Sequence, residues 1–225
     1  MIGYSVSTRC IGVLGGSFDP VHIGHVALGE LCIKTLGLSE LRVIPAGSPW
    51  QKNDLHTSAE HRVEMVRRAF ADQAVPVTID QQEISRGALS YTIDTLRALR
   101  SELGTEVSIV FLLGADQLQQ LHTWRQWQNL FDYAHVCVAS RTGFATDASH
   151  MHAEVAETFS RRSASPENIR STPCGLTYLA TGLAVDISAT QIRTAFASGH
   201  EPSLMVPSAV LDYIKQHHLY QRPQN

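Results

Sequence analysis

The sequence predicts an α/β protein built on a doubly wound, mostly parallel sheet. Short apolar runs that read as strands alternate almost throughout with stretches of helical periodicity. Residues 107–113 form the most apolar run in the chain, as a central parallel strand buried on both faces requires. The first strand, helix and strand together take about thirty residues, the length of a βαβ crossover.

Residues 10–14 read as the first strand. A helix follows over 26–36, with Val26, Leu28, Leu31, Cys32 and Leu36 available for burial and Gly37 to end it. Residues 41–45 are the second strand, and Gly47, Pro49 and Asn53-Asp54 mark the loop beyond it. Thr57 or Ser58 caps a helix over 59–71 that carries Val63, Val66 and Phe70 on one side. A strand at 75–79 precedes a helix that Tyr91 or Thr92 opens and Gly104 stops. After the strand at 107–113, short helices are expected at 117–121 and 124–131, then a strand at 135–140. From Thr142 to Gly175 Ser, Thr, Arg and His dominate. Met151, Val155 and Phe159 suggest one amphipathic helix in a segment otherwise read as a mobile insertion or lid. A strand at 176–180, a helix opened by Ile187-Ser188 and a last helix from Pro207 complete the chain.

With 225 residues, 44% hydrophobic, the chain suits one domain carrying that insertion. The net charge of −3 gives no general basic field, so bulk nucleic-acid binding is not expected. No apolar stretch resembles a signal peptide or approaches a membrane span, and the expectation is a soluble cytoplasmic protein. The four cysteines form no CxxC pair, which indicates neither zinc nor a redox couple. Cys10, Cys32 and Cys137 fit small core positions.

One stretch organises the rest: Gly15-Gly16-Ser17-Phe18-Asp19-Pro20-Val21-His22-Ile23-Gly24-His25. It joins a strand to a helix start. Glycines let the backbone approach a phosphate, and a helix N-terminus offers N–H groups with partial positive charge. His22 and His25, three apart, fall on the same side of that turn. The stretch matches neither a Walker loop nor the dinucleotide fingerprint. Near the other end stands Ile187-Ser188-Ala189-Thr190-Gln191-Ile192-Arg193. Ser188 suits an N-cap there, and Thr190 and Arg193 can reach an anion beyond the helix end. An ordinary capped helix would look the same.

The HxGH tetrad after GGSFDP resembles the signature of the HxGH nucleotidyltransferase superfamily, and the 187–193 segment is similar to its second signature, ISSTxxR, with Ala189 replacing a serine. Between them, Glu83-Ile84-Ser85-Arg86 and Ser90-Tyr91-Thr92-Ile93-Asp94-Thr95-Leu96, then Leu113-Gly114-Ala115-Asp116 with Trp124, resemble bacterial nicotinate-nucleotide adenylyltransferases. The resemblance runs from Ile11 to Tyr220. It implies a Rossmann-like nucleotidyltransferase fold. It also implies an enzyme of NAD biosynthesis that couples ATP to nicotinic acid mononucleotide, giving deamido-NAD and pyrophosphate, with Mg2+ held by phosphate oxygens and water rather than by a protein cage.

On that resemblance His22 and His25 donate to ATP phosphates, with His25 nearest the α-phosphate. Ser188, Thr190 and Arg193 hold the β- and γ-phosphates. Gly15, Gly16, Ser17 and Phe18 bind ATP, the last two also the mononucleotide phosphate or ribose. Lys52 is a further cation, Arg141 lies near adenine, and Thr92, Asp116 and Trp124 surround the nicotinate. Read as residues alone, Trp124 with Trp127 also fits a core pair, Asp116 a helix cap, Lys52 a solvated side chain, and Glu83 with Arg86 a structural ion pair.

Two departures stand out. Ser48-Pro49-Trp50-Gln51-Lys52 replaces a family run with histidine, and Arg125 follows Trp124 where an aromatic is common. Nicotinamide mononucleotide and phosphopantetheine are rival acceptors. Phosphopantetheine enzymes usually carry threonine where His22 stands. A nucleotide sensor without turnover is the rival of another class. A homo-oligomer is left open.

Overall fold

The computed structural model describes residues 9–49, 55–87, 89–140, 151–183, 185 and 187–221. Strands β1 (Cys10–Gly16), β2 (Glu40–Pro45), β4 (Val77–Ile79), β6 (Ser108–Gly114), β7 (His135–Ser140) and β8 (Thr177–Thr181) form one sheet in the order β4-β2-β1-β6-β7-β8, all parallel. Two-residue strands β3 (Ser48–Pro49) and β5 (Leu89–Ser90) pair separately and tie the loop after β2 to the next helix. No propensity or periodicity can show strands that short.

Alternation along the strands divides the core in two. Cys10, Leu14, Leu41, Val43, Val110, Leu112 and Cys137 pack on one face with α1 (Ile23–Leu36), α2 (Ala59–Ala69), α8 (Ala189–Ala197) and α9 (Ser208–Gln216). Ile11, Val13, Ile109, Phe111, Leu113 and Val136 pack on the other with α4 (Thr92–Leu103) and the turns around Trp127 and Phe131. Covered on both sides, β6 is therefore apolar at nearly every position. The doubly wound sheet is as the sequence predicts. Among the described residues no helix is long and apolar enough to cross a membrane.

Several bounds move. Helix α1 begins at Ile23, three residues before the apolar periodicity starts, and Gly37 ends it with φ 62°. Two short helices appear: α3 (Gln82–Arg86), where the sequence reading assigned no element, and α5 (Ala115–Gln120), slightly earlier than the helix expected at 117–121. Residues 151–175, taken as part of an insertion, carry α6 (Ala153–Arg161) and α7 (Pro166–Ser171). Val155 and Ile169 from these helices are wholly buried, each stabilising the fold by roughly 1.5–3 kcal/mol. Arg170 donates to the carbonyl of Leu36 at the end of α1, and Arg162 to that of Gly175. Residues 142–150 lie outside the described residues.

The strand order positions the site. From β1 the chain moves outward to β2 and β4, then returns across β1 to β6, β7 and β8. The order reverses between β1 and β6, and ligands of such sheets bind beyond the strand ends at that reversal. The segment after β1 and Gly114-Ala115-Asp116 after β6 flank it.

Candidate active site

The segment after β1 is built by contacts that the glycines permit. Phe18 adopts φ 49°, a left-handed conformation that costs a non-glycine residue about 1–3 kcal/mol. Its ring is 1% exposed, and burial of that size returns roughly 1.5–3 kcal/mol, enough to hold the kink. The ring lies under Gly16, where a Cβ would sit 3.0 Å from it, and meets His25 edge-on with centroids 4.9 Å apart. The Phe18 ring is therefore core, which leaves its backbone for the binding expected of it.

His22 is the N-cap of α1, extended at φ −143° and ψ 171°. Its backbone N–H donates to Nδ1 of His25 at 3.2 Å, and the two imidazoles lie 3.7 Å apart. An accepting Nδ1 leaves the proton of a neutral His25 ring on Nε2. Gly24 makes room for this pair. A Cβ there would stand 3.0 Å from Nδ1 and 3.1 Å from Cε1 of His22.

The second segment closes on the first. Ser188 caps α8, accepting from the N–H of Gln191 at 3.3 Å, while Gln191 Oε1 accepts from the N–H of Ser188 at 2.8 Å. One turn on, Arg193 donates through Nη2 to Thr190 Oγ1 at 3.1 Å and through Nη1 to the carbonyl of Asp19 at 2.7 Å. Gly15, Gly16, Ser17, His22, His25, Ser188, Thr190 and Arg193 thus belong to one assembly of two helix starts and the turn between β1 and α1.

Thr92, Asp116 and Trp124 stand on the β6 side. Thr92 opens α4 directly after β5. Asp116 is exposed in the first turn of α5, whose N-cap is Gly114, and accepts from the side chain of Gln117 at 3.2 Å. Trp124 follows a 3-10 turn and packs edge-on to Phe111 with centroids 6.2 Å apart. Phe111 in turn lies beside Gly15. The indole N–H of Trp124 is buried without a hydrogen-bond partner among the described residues. Trp127 is core. Arg125 covers the Tyr91 ring, its guanidinium carbon 4.7 Å from the centroid. Lys52 and Arg141, and Trp50 with them, lie outside the described residues.

Two buried charges behind the turn were not singled out from sequence. Arg62 on α2 is 1% exposed and donates to the carbonyl of Ser17 at 2.8 Å. Burial pulls its guanidinium below the ordinary arginine value, and the Asp19 carboxylate opposes that. Asp19, 2% exposed, accepts from the N–H of His56 at 2.5 Å, Thr57 Oγ1 at 2.9 Å and the Tyr220 hydroxyl at 2.7 Å. Arg62 gave a readable signal, since it shares its helix face with Val66 and Ala69 at positions i+4 and i+7. Glu83 is buried and accepts from Thr95 Oγ1 at 2.7 Å, while Arg86, its expected ion-pair partner, donates to Gln82 Oε1 at 3.3 Å; burial raises the Glu83 carboxyl above the usual range.

A family model described as cytidylyltransferase-like matches residues 13–195. A protein of Herminiimonas arsenicoxydans described as a probable nicotinate-nucleotide adenylyltransferase is 62% identical over 95% of this chain and 97% of its own. The chain belongs to the nicotinate-nucleotide adenylyltransferase family. A second such relative, from Dechloromonas aromatica, is 43% identical over 93% of this chain and 97% of its own. Among solved structures, the Plasmodium falciparum nicotinic acid mononucleotide adenylyltransferase complexed with NaAD aligns with a TM-score of 0.71 at 20% identity, covering 94% of this chain and 97% of that one. At that identity the likeness speaks for the fold. Asp19 and Arg62 are the buried charges that hold this chain's HxGH turn from behind.

Proposed function

We propose that this crevice transfers the adenylyl group of ATP to nicotinic acid mononucleotide, giving deamido-NAD and pyrophosphate. One observation carries the reading beyond family membership: Arg193 is hydrogen-bonded to the turn that leads into His22 and His25. Donors from two helix starts are thereby collected where the sheet order reverses.

The chemistry asks for little covalent help. A phosphate oxygen of the mononucleotide attacks the α-phosphorus of ATP, a P–O bond forms, the α–β bridge breaks, and pyrophosphate leaves with the electron pair. Two polyanions must be held in line, and charge on the leaving group must be neutralised. His25, with its proton on Nε2, is a hydrogen-bond donor suited to the α-phosphate, and His22 supports it. Arg193 offers a fork, Thr190 a hydroxyl and the start of α8 its N–H groups to the β- and γ-phosphates. The backbone from Gly15 to Phe18 holds the phosphates of either nucleotide. Lys52 and Arg141 keep the roles given them from sequence.

Thr92, Asp116 and Trp124 are proposed to hold the nicotinate. The unpartnered indole N–H of Trp124 supports this, because a buried donor without an acceptor costs about 1–3 kcal/mol unless something satisfies it. Among the described residues no three or more His, Cys, Asp or Glu gather to hold an ion. Imidazole, guanidinium and backbone N–H donors suit phosphate, so Mg2+ would travel on the phosphates, where it would neutralise the leaving pyrophosphate.

The test is kcat/KM for pyrophosphate release from ATP with nicotinic acid mononucleotide and, in parallel, with the nicotinamide form. The acid is expected to be preferred. A clear preference for the amide would change the acceptor. No release with either would favour a nucleotide-binding protein without turnover.

A further inference from the structure

We propose that Tyr220 is a positioning residue for adenylyl transfer, fastening the chain that follows α9 to the Asp19 carboxylate and so holding the turn that Arg193 grips. The proposal rests on the function given above and adds a residue far from either signature.

The Tyr220 hydroxyl donates to Asp19 Oδ1 at 2.7 Å and lies 3.3 Å from Thr57 Oγ1, which donates to the same carboxylate oxygen. Burial, with the carboxylate beside it, pushes the Tyr220 phenol far above its usual value, so the group stays an O–H and a donor. Asp19 is almost wholly desolvated. A buried carboxylate that loses one donor is left partly unsatisfied, and it moves to recover a partner.

The backbone is bent to bring the ring there. After α9 the helix ends on a left-handed His218 at φ 52°, where the N–H groups of His218 and Leu219 bond the carbonyls of Lys215 and Ile214, and Tyr220 beyond this cap is left-handed again at φ 62°. Strain of this kind persists only where surrounding contacts over-determine it, and it points to a role. The ring stacks on Phe196, with centroids 6.3 Å apart at 26°. Phe196 and Arg193 share α8. A closed circuit results: Arg193 to the Asp19 carbonyl, the Asp19 carboxylate to Tyr220, and Tyr220 through Phe196 back to α8. The Thr57 branch ties in the residues that lead into α2.

The experiment is Tyr220→Phe, which keeps the ring and its stacking. Fixing reacting groups appears in kcat, so kcat for pyrophosphate release should fall about tenfold, with KM for both substrates within about threefold. Thr57→Ser should match wild type. Thr57→Val with Tyr220→Phe should lose less than the product of the single losses, since both hydroxyls serve one carboxylate. Amide exchange over residues 17–22 gives a readout that needs no turnover and should quicken in Tyr220→Phe. A wild type without turnover would remove the adenylyl-transfer reading and leave the exchange result to decide the latch. Unchanged exchange, or a kcat within twofold of wild type, would overturn the proposal. So would an equal kcat loss in a control variant of the same Tm altered far from the crevice.

Discussion

Arg193 and Asp19 are 174 positions apart in sequence, yet a guanidinium nitrogen of one lies 2.7 Å from the backbone carbonyl of the other. The bond is to main chain, so it fixes the path of the turn into His22. The fork is shared, with Thr190 Oγ1 on the second nitrogen. A lysine keeps the charge and cannot meet both partners in this geometry. Arg193→Lys is expected to lower kcat/KM for ATP at least tenfold and Arg193→Ala about a hundredfold. Steady-state kinetics at fixed mononucleotide will check the order, and a lysine variant equal to wild type would show that charge alone suffices.

Gly24 is the least obvious member of the HxGH tetrad, because it offers no side chain to a ligand. Its role is space for the His22 ring. In Gly24→Ala the methyl group would push that ring by a few tenths of an ångström and disturb its packing against His25. Displacements on this scale can cost tenfold or more in rate. We expect kcat to fall about tenfold while Tm changes by only a few degrees. Full activity in the alanine variant would mean that the ring has room elsewhere.

His135 gives a pH prediction apart from the site. It is wholly buried at the start of β7. Its Nε2 faces the carbonyl of Thr172 at 2.8 Å, and its Nδ1 accepts from the N–H of Leu176 at 3.1 Å. Both bonds use the neutral ring, and burial lowers the folded-state pKa. A lowered pKa means that the unfolded chain binds the proton more readily. The stabilisation is therefore complete above the unfolded value of about 6.5 and is lost as pH falls toward the folded value. The urea midpoint of wild type should drop between pH 7 and pH 5. His135→Gln should be less stable at pH 7, with a shallower drop. Parallel curves for the two proteins would exclude His135 as the titrating group.

The sheet was readable because its strands are apolar at nearly every position, and both signature segments were readable because they combine small residues, cations and a helix start. The start of α1 was misplaced because His22, Gly24 and His25 carry no apolar periodicity, although they are the first turn. Helix α7 had signals that composition hid: Ser165 caps it, Pro166 opens it and Ile169 anchors it. Asp19 was visible inside the glycine stretch. Its partners Thr57 and Tyr220 were not, because hydrogen bonds between residues so far apart leave no local pattern.

The central claim is that imidazole and guanidinium act on one triphosphate while a second nucleotide's phosphate displaces its tail. The most direct test is kcat for pyrophosphate formation by His25→Ala with saturating ATP and nicotinic acid mononucleotide, beside a check that Tm is unchanged. The account predicts a loss of about a hundredfold, the size expected for one donor at developing charge. A folded His25→Ala protein working within threefold of wild type would contradict it.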